Sequence, residues 1–262
     1  MPDMKWIRRH LAGLAATLRF FTRIPLPGDG VLPDEEFGKS LAYAPLIGLV
    51  IGVWTAGWDF GLRLILPAGP AAVLTLLAYV CMTGGLHLDG LGDTFDGILS
   101  GRSRDRMLAI MKDSRVGSFG VLAVWFALAL DTASIASLPD TQRFAVLCIW
   151  PVLGRLASVA GASLFEYARP EGGLGKSFVQ YCGKRELAIG ACIALLSAAL
   201  LLGWPGAVWV AATFIVTLLL LKWMTKPLGG ITGDVLGAVC EGTQVFALPV
   251  WMLVTAVLKE AL

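Results

Sequence analysis

Long apolar stretches are what most restrict the folds open to this chain. They lie at 41–60, 70–84, 119–137, 143–162, 187–203, 206–222 and 242–258, and most approach the roughly 17–25 residues that a helix needs to cross a bilayer. Inside lipid every backbone polar group must find its partner within the protein, so runs of this kind have to be helices. The sequence therefore predicts an all-α, polytopic integral membrane helix bundle of about seven transmembrane helices. The second stretch is short and reads as tilted, distorted or extended by the residues that follow it. Asp59 and Asp131 fall near expected helix ends, where a carboxylate reaches the interface. Composition agrees, with 56% hydrophobic and 15% charged residues against about 25% charged in an ordinary soluble domain.

Ahead of the first span, Ile7, Leu11, Leu14, Leu18 and Phe21 recur at helical spacing, and Arg19 interrupts the stretch. That pattern fits a retained amphipathic N-terminal helix at the membrane surface better than a signal peptide, with packing against the bundle as the alternative. With a cytoplasmic N-terminus, seventeen Lys and Arg fall in the connections on that side. Only Arg63, Arg143 and Lys259 fall on the other, and Arg155 lies inside a span. Such a bias is what the positive-inside rule demands. The longer connections, 23–40, 85–118, 163–186 and 223–241, share the cytoplasmic side and place the chemistry at that boundary of one domain, 1–262. A formal charge of +2 excludes a broadly basic nucleic-acid binder. Five cysteines without a CxxC pair and two histidines offer little for a zinc site or disulfide framework, so buried thiols are the plain reading.

Between 84 and 97 the chain reads GGLHLDGLGDTFDG. On a helix, Asp89, Asp93 and Asp96 are spaced i, i+4, i+7 and share a face. Three such carboxylates repel one another unless a cation or donors compensate them. Magnesium is the economical compensator, since it seeks hard oxygen ligands and bridges phosphate oxygens. A solvated helix start with glycine turns is the bland alternative. Arg102, Arg104, Arg106, Lys112 and Arg115 follow directly; guanidinium and ammonium groups beside an acidic metal site suit a polyphosphate substrate, although topology alone also predicts basic loops.

A second motif, GGITGD at 229–234, continues to Glu241. Asp234 and Glu241 share a face if helical, and Thr232 could cap that helix or contact phosphate. The glycine-rich loop 165–176 carries Arg169, which could touch phosphate if the loop closes over a substrate, or could be part of a simple connector. Arg155, four residues beyond Pro151, is an intramembrane charge that needs a buried partner. His87 could orient a carboxylate, accept a proton or occupy a polar helix end.

Together GGLHLDGLGDTFDG, the earlier FFTRIPLP, MKDSRVGSFG and the late GGITGDVLGAVCE resemble the cobalamin 5'-phosphate synthase family, the adenosylcobinamide-GDP ribazoletransferases, over essentially the whole chain. The resemblance implies a magnesium-dependent enzyme of the bacterial cytoplasmic (inner) membrane. It would transfer the adenosylcobinamide-phosphate part of adenosylcobinamide-GDP to α-ribazole or its 5'-phosphate and release GMP. The family's Asp-rich motif often has Glu where this chain has Leu88, so a carboxylate there is not required.

Carried onto this chain, the expectation is that Asp89, Asp93, Asp96, Asp234 and Glu241 hold magnesium. Arg102, Arg104, Lys112 and Arg115, with Arg23, Arg155, Arg169 and Thr232, would serve the substrates, and Asp89, Asp93 or His87 the proton transfer. Partners would be the two substrates and membrane lipid, with helix surfaces available for a homo-oligomer and no nucleic acid. A CDP-alcohol phosphotransferase is the enzymatic alternative, although its Asp-Gly-x-x-Ala-Arg run is absent. An ion-coupled transporter is the alternative of a different class.

Overall fold

The computed structural model describes residues 4–26, 32–169, 171–173 and 175–260. Pro27 of the FFTRIPLP motif and Pro170 and Leu174 of the glycine-rich loop lie outside them. The described residues form helices α1 (Met4–Phe21), α2 (Asp34–Ser40), α3 (Ala44–Arg63), α4 (Ala68–Thr83), α5 (Leu86–Leu99), α6 (Arg104–Ile110) and α7 (Ser118–Ser137). They continue as α8 (Asp140–Leu164), α9 (Lys176–Tyr181), α10 (Lys184–Leu202), α11 (Trp204–Leu228) and α12 (Gly233–Glu260). The one β feature among them is an isolated parallel bridge between Tyr167 and Ile231.

Six helices are long and apolar enough to cross a membrane: α3 with its lead-in from Asp34, α7, α8, α10, α11 and α12. Helices α4 and α5 make a seventh when taken as one broken span, bent by 93°. α8 is the central post, buried along most of its length and packed on α3, α10 and α12. α7, α10 and α11 instead turn residues such as Phe126, Leu200 and Leu219 outward, as helices do when their solvent is lipid.

The break between α4 and α5 has a local cause. Gly84 and Gly85 sit at φ of +68° and +70°, a left-handed conformation that glycine adopts without penalty. At Gly84 a Cβ would also lie 2.0 Å from the Arg23 Nε. Both constraints require glycine there. The chain then turns and runs α5 along α7 and α12.

The structure decides two readings that the sequence leaves open and departs from it at Asp59 and Asp131. α12 starts at Gly233, so the turns carrying Asp234 and Glu241 are continuous with the apolar run at 242–258, and Thr232 caps them, its Oγ1 accepting from the Val235 amide at 3.2 Å. The second half of α1 packs on the bundle: Ala16, Thr17 and Phe21 are buried, and the Thr17 hydroxyl bonds Ser40, while Ile7 and Leu11 stay exposed. Asp59 does not reach solvent. It is buried and accepts from Arg143 Nε and Nη2 at 2.5 and 2.9 Å and from Thr75 at 3.3 Å. Asp131 is likewise buried, on α7. Of the cysteines, Cys148, Cys182 and Cys240 are buried, whereas Cys81 and Cys192 are exposed, and all five are free.

Candidate functional site

Two chain segments far apart in sequence build the site. Helix α5 lies against the start of α12, and the contact is so close that a Cβ on Gly90 would fall 2.7 Å from the Asp234 carbonyl oxygen. A glycine at 90 thus lets Asp89 and Asp93 approach Asp234. The negative charges of Asp89, Asp234 and Asp96 all act on Asp93, with Arg169 opposing them.

Arg169 reaches the cluster because its loop is stitched to the chain leading into α12. The Ala168 amide donates to Ile231 O, and the Ile231 amide donates to Glu166 O, each at 2.8 Å. This short pairing holds Arg169, itself buried, so that Nη2 donates to Asp234 Oδ2 at 2.6 Å. Thr232 is fully buried and caps α12, and its hydroxyl also lies 3.4 Å from Asp234 Oδ2.

The three aspartates of α5 have different partners. Asp96 accepts from the backbone amides of Gly117 at 2.7 Å and Gly120 at 2.9 Å, so its carboxylate satisfies the otherwise orphaned donors at the start of α7. Asp89 is exposed and Asp93 half-buried. Both border an open cavity of 740 Å³ between α5 and α7, whose one basic lining residue is Arg23. Asp89 also borders a smaller cavity of 130 Å³, together with Asp234 and His87.

The basic residues divide in the same way. Arg104 Nε donates to Leu228 O at 2.8 Å and Nη2 to Ala168 O at 2.6 Å, which ties α6 to the end of α11 and to the Arg169 loop. Lys112 pairs with Glu171 and holds that carboxyl below its ordinary pKa. Arg115 pairs with Asp113 at 2.6 Å and lowers its pKa to about 2, in a fully exposed loop. Arg102 is exposed at the start of α6.

Deeper along α12 lies a second polar group. Arg155 is fully buried; its Nη1 donates to Tyr79 Oη at 3.1 Å and to Gln244 Oε1 at 2.7 Å. Glu241 accepts from Tyr79 Oη at 2.8 Å and from Gln244 Nε2 at 3.1 Å. His87 Nδ1 stands 3.8 Å from Glu241 Oε1. Glu241 is therefore fixed inside the bundle by the network that compensates Arg155. Ligand atoms of His87, Cys240 and Glu241 lie within 4.8 Å of one another, but an imidazole and a thiol beside a guanidinium make a poor magnesium site. The carboxylates of Asp89, Asp93 and Asp234 suit that ion better, because magnesium takes one or two carboxylates and completes its shell with water and phosphate oxygens.

Sequence reasoning missed Tyr79 and Gln244. Gln244 carried a signal, as an amide three residues after Glu241 on a helix that enters the membrane. Tyr79 carried none beyond its hydroxyl.

The model of the family described as cobalamin-5-phosphate synthase matches residues 13–252. The adenosylcobinamide-GDP ribazoletransferase of Acetivibrio thermocellus is 43% identical over 95% of this chain and 99% of its own length. The enzyme of the same name from Clostridium acetobutylicum is 42% identical over 94% and 96%, and that from Chlorobaculum tepidum 36% identical over 95% and 97%. No solved structure matches the chain.

Proposed function

The chain belongs to the cobalamin-5-phosphate synthase family, and we propose that it carries out that family's joining reaction on the carboxylate face shared by α5 and α12. It is a membrane-embedded transferase that joins adenosylcobinamide-GDP to α-ribazole or its 5'-phosphate to give the cobalamin product. What supports placing the reaction on this face is one observation: Asp89 and Asp93 border an open cavity beside Asp234, which is already held by Arg169.

In this reading Asp89, Asp93 and Asp234 would hold magnesium, which supplies charge neutralisation at the diphosphate oxygens. Arg23 and Arg169 bind phosphate oxygens at the two edges of the carboxylate face. Arg104 and Asp96 keep α6, α7 and the Arg169 loop in register with α5. An acceptor hydroxyl forms a new bond to the phosphorus that carries cobinamide, the diphosphate bridge breaks, and GMP leaves with the bridging oxygen. The hydroxyl proton passes to Asp89, the carboxylate common to both cavities. Alignment and charge stabilisation account for most of the acceleration in such a transfer. The excess of Lys and Arg on the connections that build this face supports an orientation towards the cytoplasm, in the inner membrane of a bacterium.

The test is GMP release by the purified protein given adenosylcobinamide-GDP with and without α-ribazole 5'-phosphate, before and after chelation of magnesium. We expect release that needs both acceptor and metal. Release unaffected by chelation would remove magnesium from the reading, and no release by folded protein would remove the transferase.

A further inference from the structure

The 130 Å³ cavity is walled on one side by aromatic rings that the transfer chemistry does not use. Phe20 and Phe21 at the end of α1 meet edge to face with centroids 5.1 Å apart. Phe178 of α9 stands against Phe20 at the same separation, and Phe21 lies 5.3 Å from the His87 ring. Asp89 and Asp234 line the same cavity, with His87 and Ser158 as its other polar side chains. An apolar aromatic chamber thus opens onto the carboxylates at which the reaction is placed.

We infer that this chamber holds the base of the nucleoside acceptor, with its ribose at the mouth between Asp89 and Asp234. The inference rests on the proposed transferase reading. Three flat bases take part in that reaction, adenine and guanine on the donor and dimethylbenzimidazole on the acceptor, and the lining discriminates between them. Guanine presents acceptors at N7 and O6, and adenine one at N7, which would lose their water partners against Phe20, Phe21 and Phe178 and find only repulsion at Asp89 and Asp234. The dimethylbenzimidazole base of α-ribazole has no N–H donor, a single ring-nitrogen acceptor and two methyl groups, so rings that pack edge to face serve it at the smallest desolvation cost of the three. Seated there, the nucleoside directs its ribose hydroxyls towards Asp89 and leaves the wider cavity, which Asp89 also borders, to the donor.

The experiment is equilibrium binding of radiolabelled α-ribazole to the full chain in lipid nanodiscs, without donor. Phe178→Leu and Phe20→Leu should each weaken binding, and raise the KM for α-ribazole, by about tenfold while the KM for adenosylcobinamide-GDP stays unchanged. Free dimethylbenzimidazole should displace the label from the wild-type protein, and GMP should not. This arm needs no variant and decides the matter if both variants misfold. Folded variants that bind α-ribazole like the wild type, a shift in the donor KM alone, or displacement by GMP would each overturn the assignment. Binding without any GMP release sinks the transferase reading and leaves the chamber assigned; release with unaltered binding by the variants does the reverse.

Discussion

Asp234 and Glu241 stand two turns apart on α12, yet their surroundings are opposites. Glu241 has partners for both oxygens in Tyr79 and Gln244, and through them answers the buried charge of Arg155. Asp234 has Arg169 on one oxygen and neighbours two further carboxylates, Asp89 and Asp93, that face open cavities. A cluster whose carboxylate is fully bonded inside the bundle holds helices together, even with Arg155 Nε and Nη2 left without hydrogen-bond partners, whereas a cluster left with excess carboxylate charge at an opening can take up a cation that enters. The deeper group contributes to the scaffold; in the proposed reading the other meets the ligand.

The sharpest way to break that comparison is to exchange the consequences of mutation. Arg155→Met strands Glu241, and removal of one partner from a buried ionic network costs about 3–5 kcal/mol. We expect a large fall in thermal stability in detergent, read by the melting transition. Asp93→Asn should do the converse, with turnover lowered about 100-fold or more and a melting temperature at or slightly above that of the wild type, since it relieves repulsion. Equal loss of folded protein in both variants would erase the distinction.

Smaller effects sharpen it. Asp96→Ala removes the acceptor for the Gly117 and Gly120 amides, and loss of a helix cap costs about 1 kcal/mol. Stability and turnover should fall together, because α7 borders the open cavity. Arg115→Ala, whose pair with Asp113 is fully exposed, should leave the melting temperature unchanged, and GMP release should change by less than threefold, on the order of what an exposed ion pair contributes.

The order of the spans and the aspartates of α5 were legible because both depend on local periodicity. Apolar runs report lipid contact, and the Asp89, Asp93, Asp96 spacing reports a helix face. The start of α12 was not legible from hydropathy, since a capped helix continues through polar sequence when packing accepts it, as the turns holding Asp234 and Glu241 do. Partner choice was least visible. Nothing local to Asp59 announces Arg143, and nothing local to Arg169 announces that a bridge between 167 and 231 will deliver it to Asp234. Those contacts join segments separated by 84 and 65 residues, and only the packed bundle specifies them. The same holds for Asp96, whose role follows from where α7 begins.

The stitch between the Arg169 loop and Ile231 has a consequence for how the protein is made. One half of the carboxylate face belongs to the second span in chain order, while Asp234 and the strand-like residue that positions Arg169 belong to the threshold of the last. A ribosome delivers these pieces to the membrane far apart in time. Until the final helix has been inserted, the nascent chain holds Asp89 and Asp93 without their counterpart and Arg169 without its anchor. In the proposed reading catalytic competence therefore arrives in a single late event, and a product truncated before α12 is expected to be inserted in the membrane yet inert.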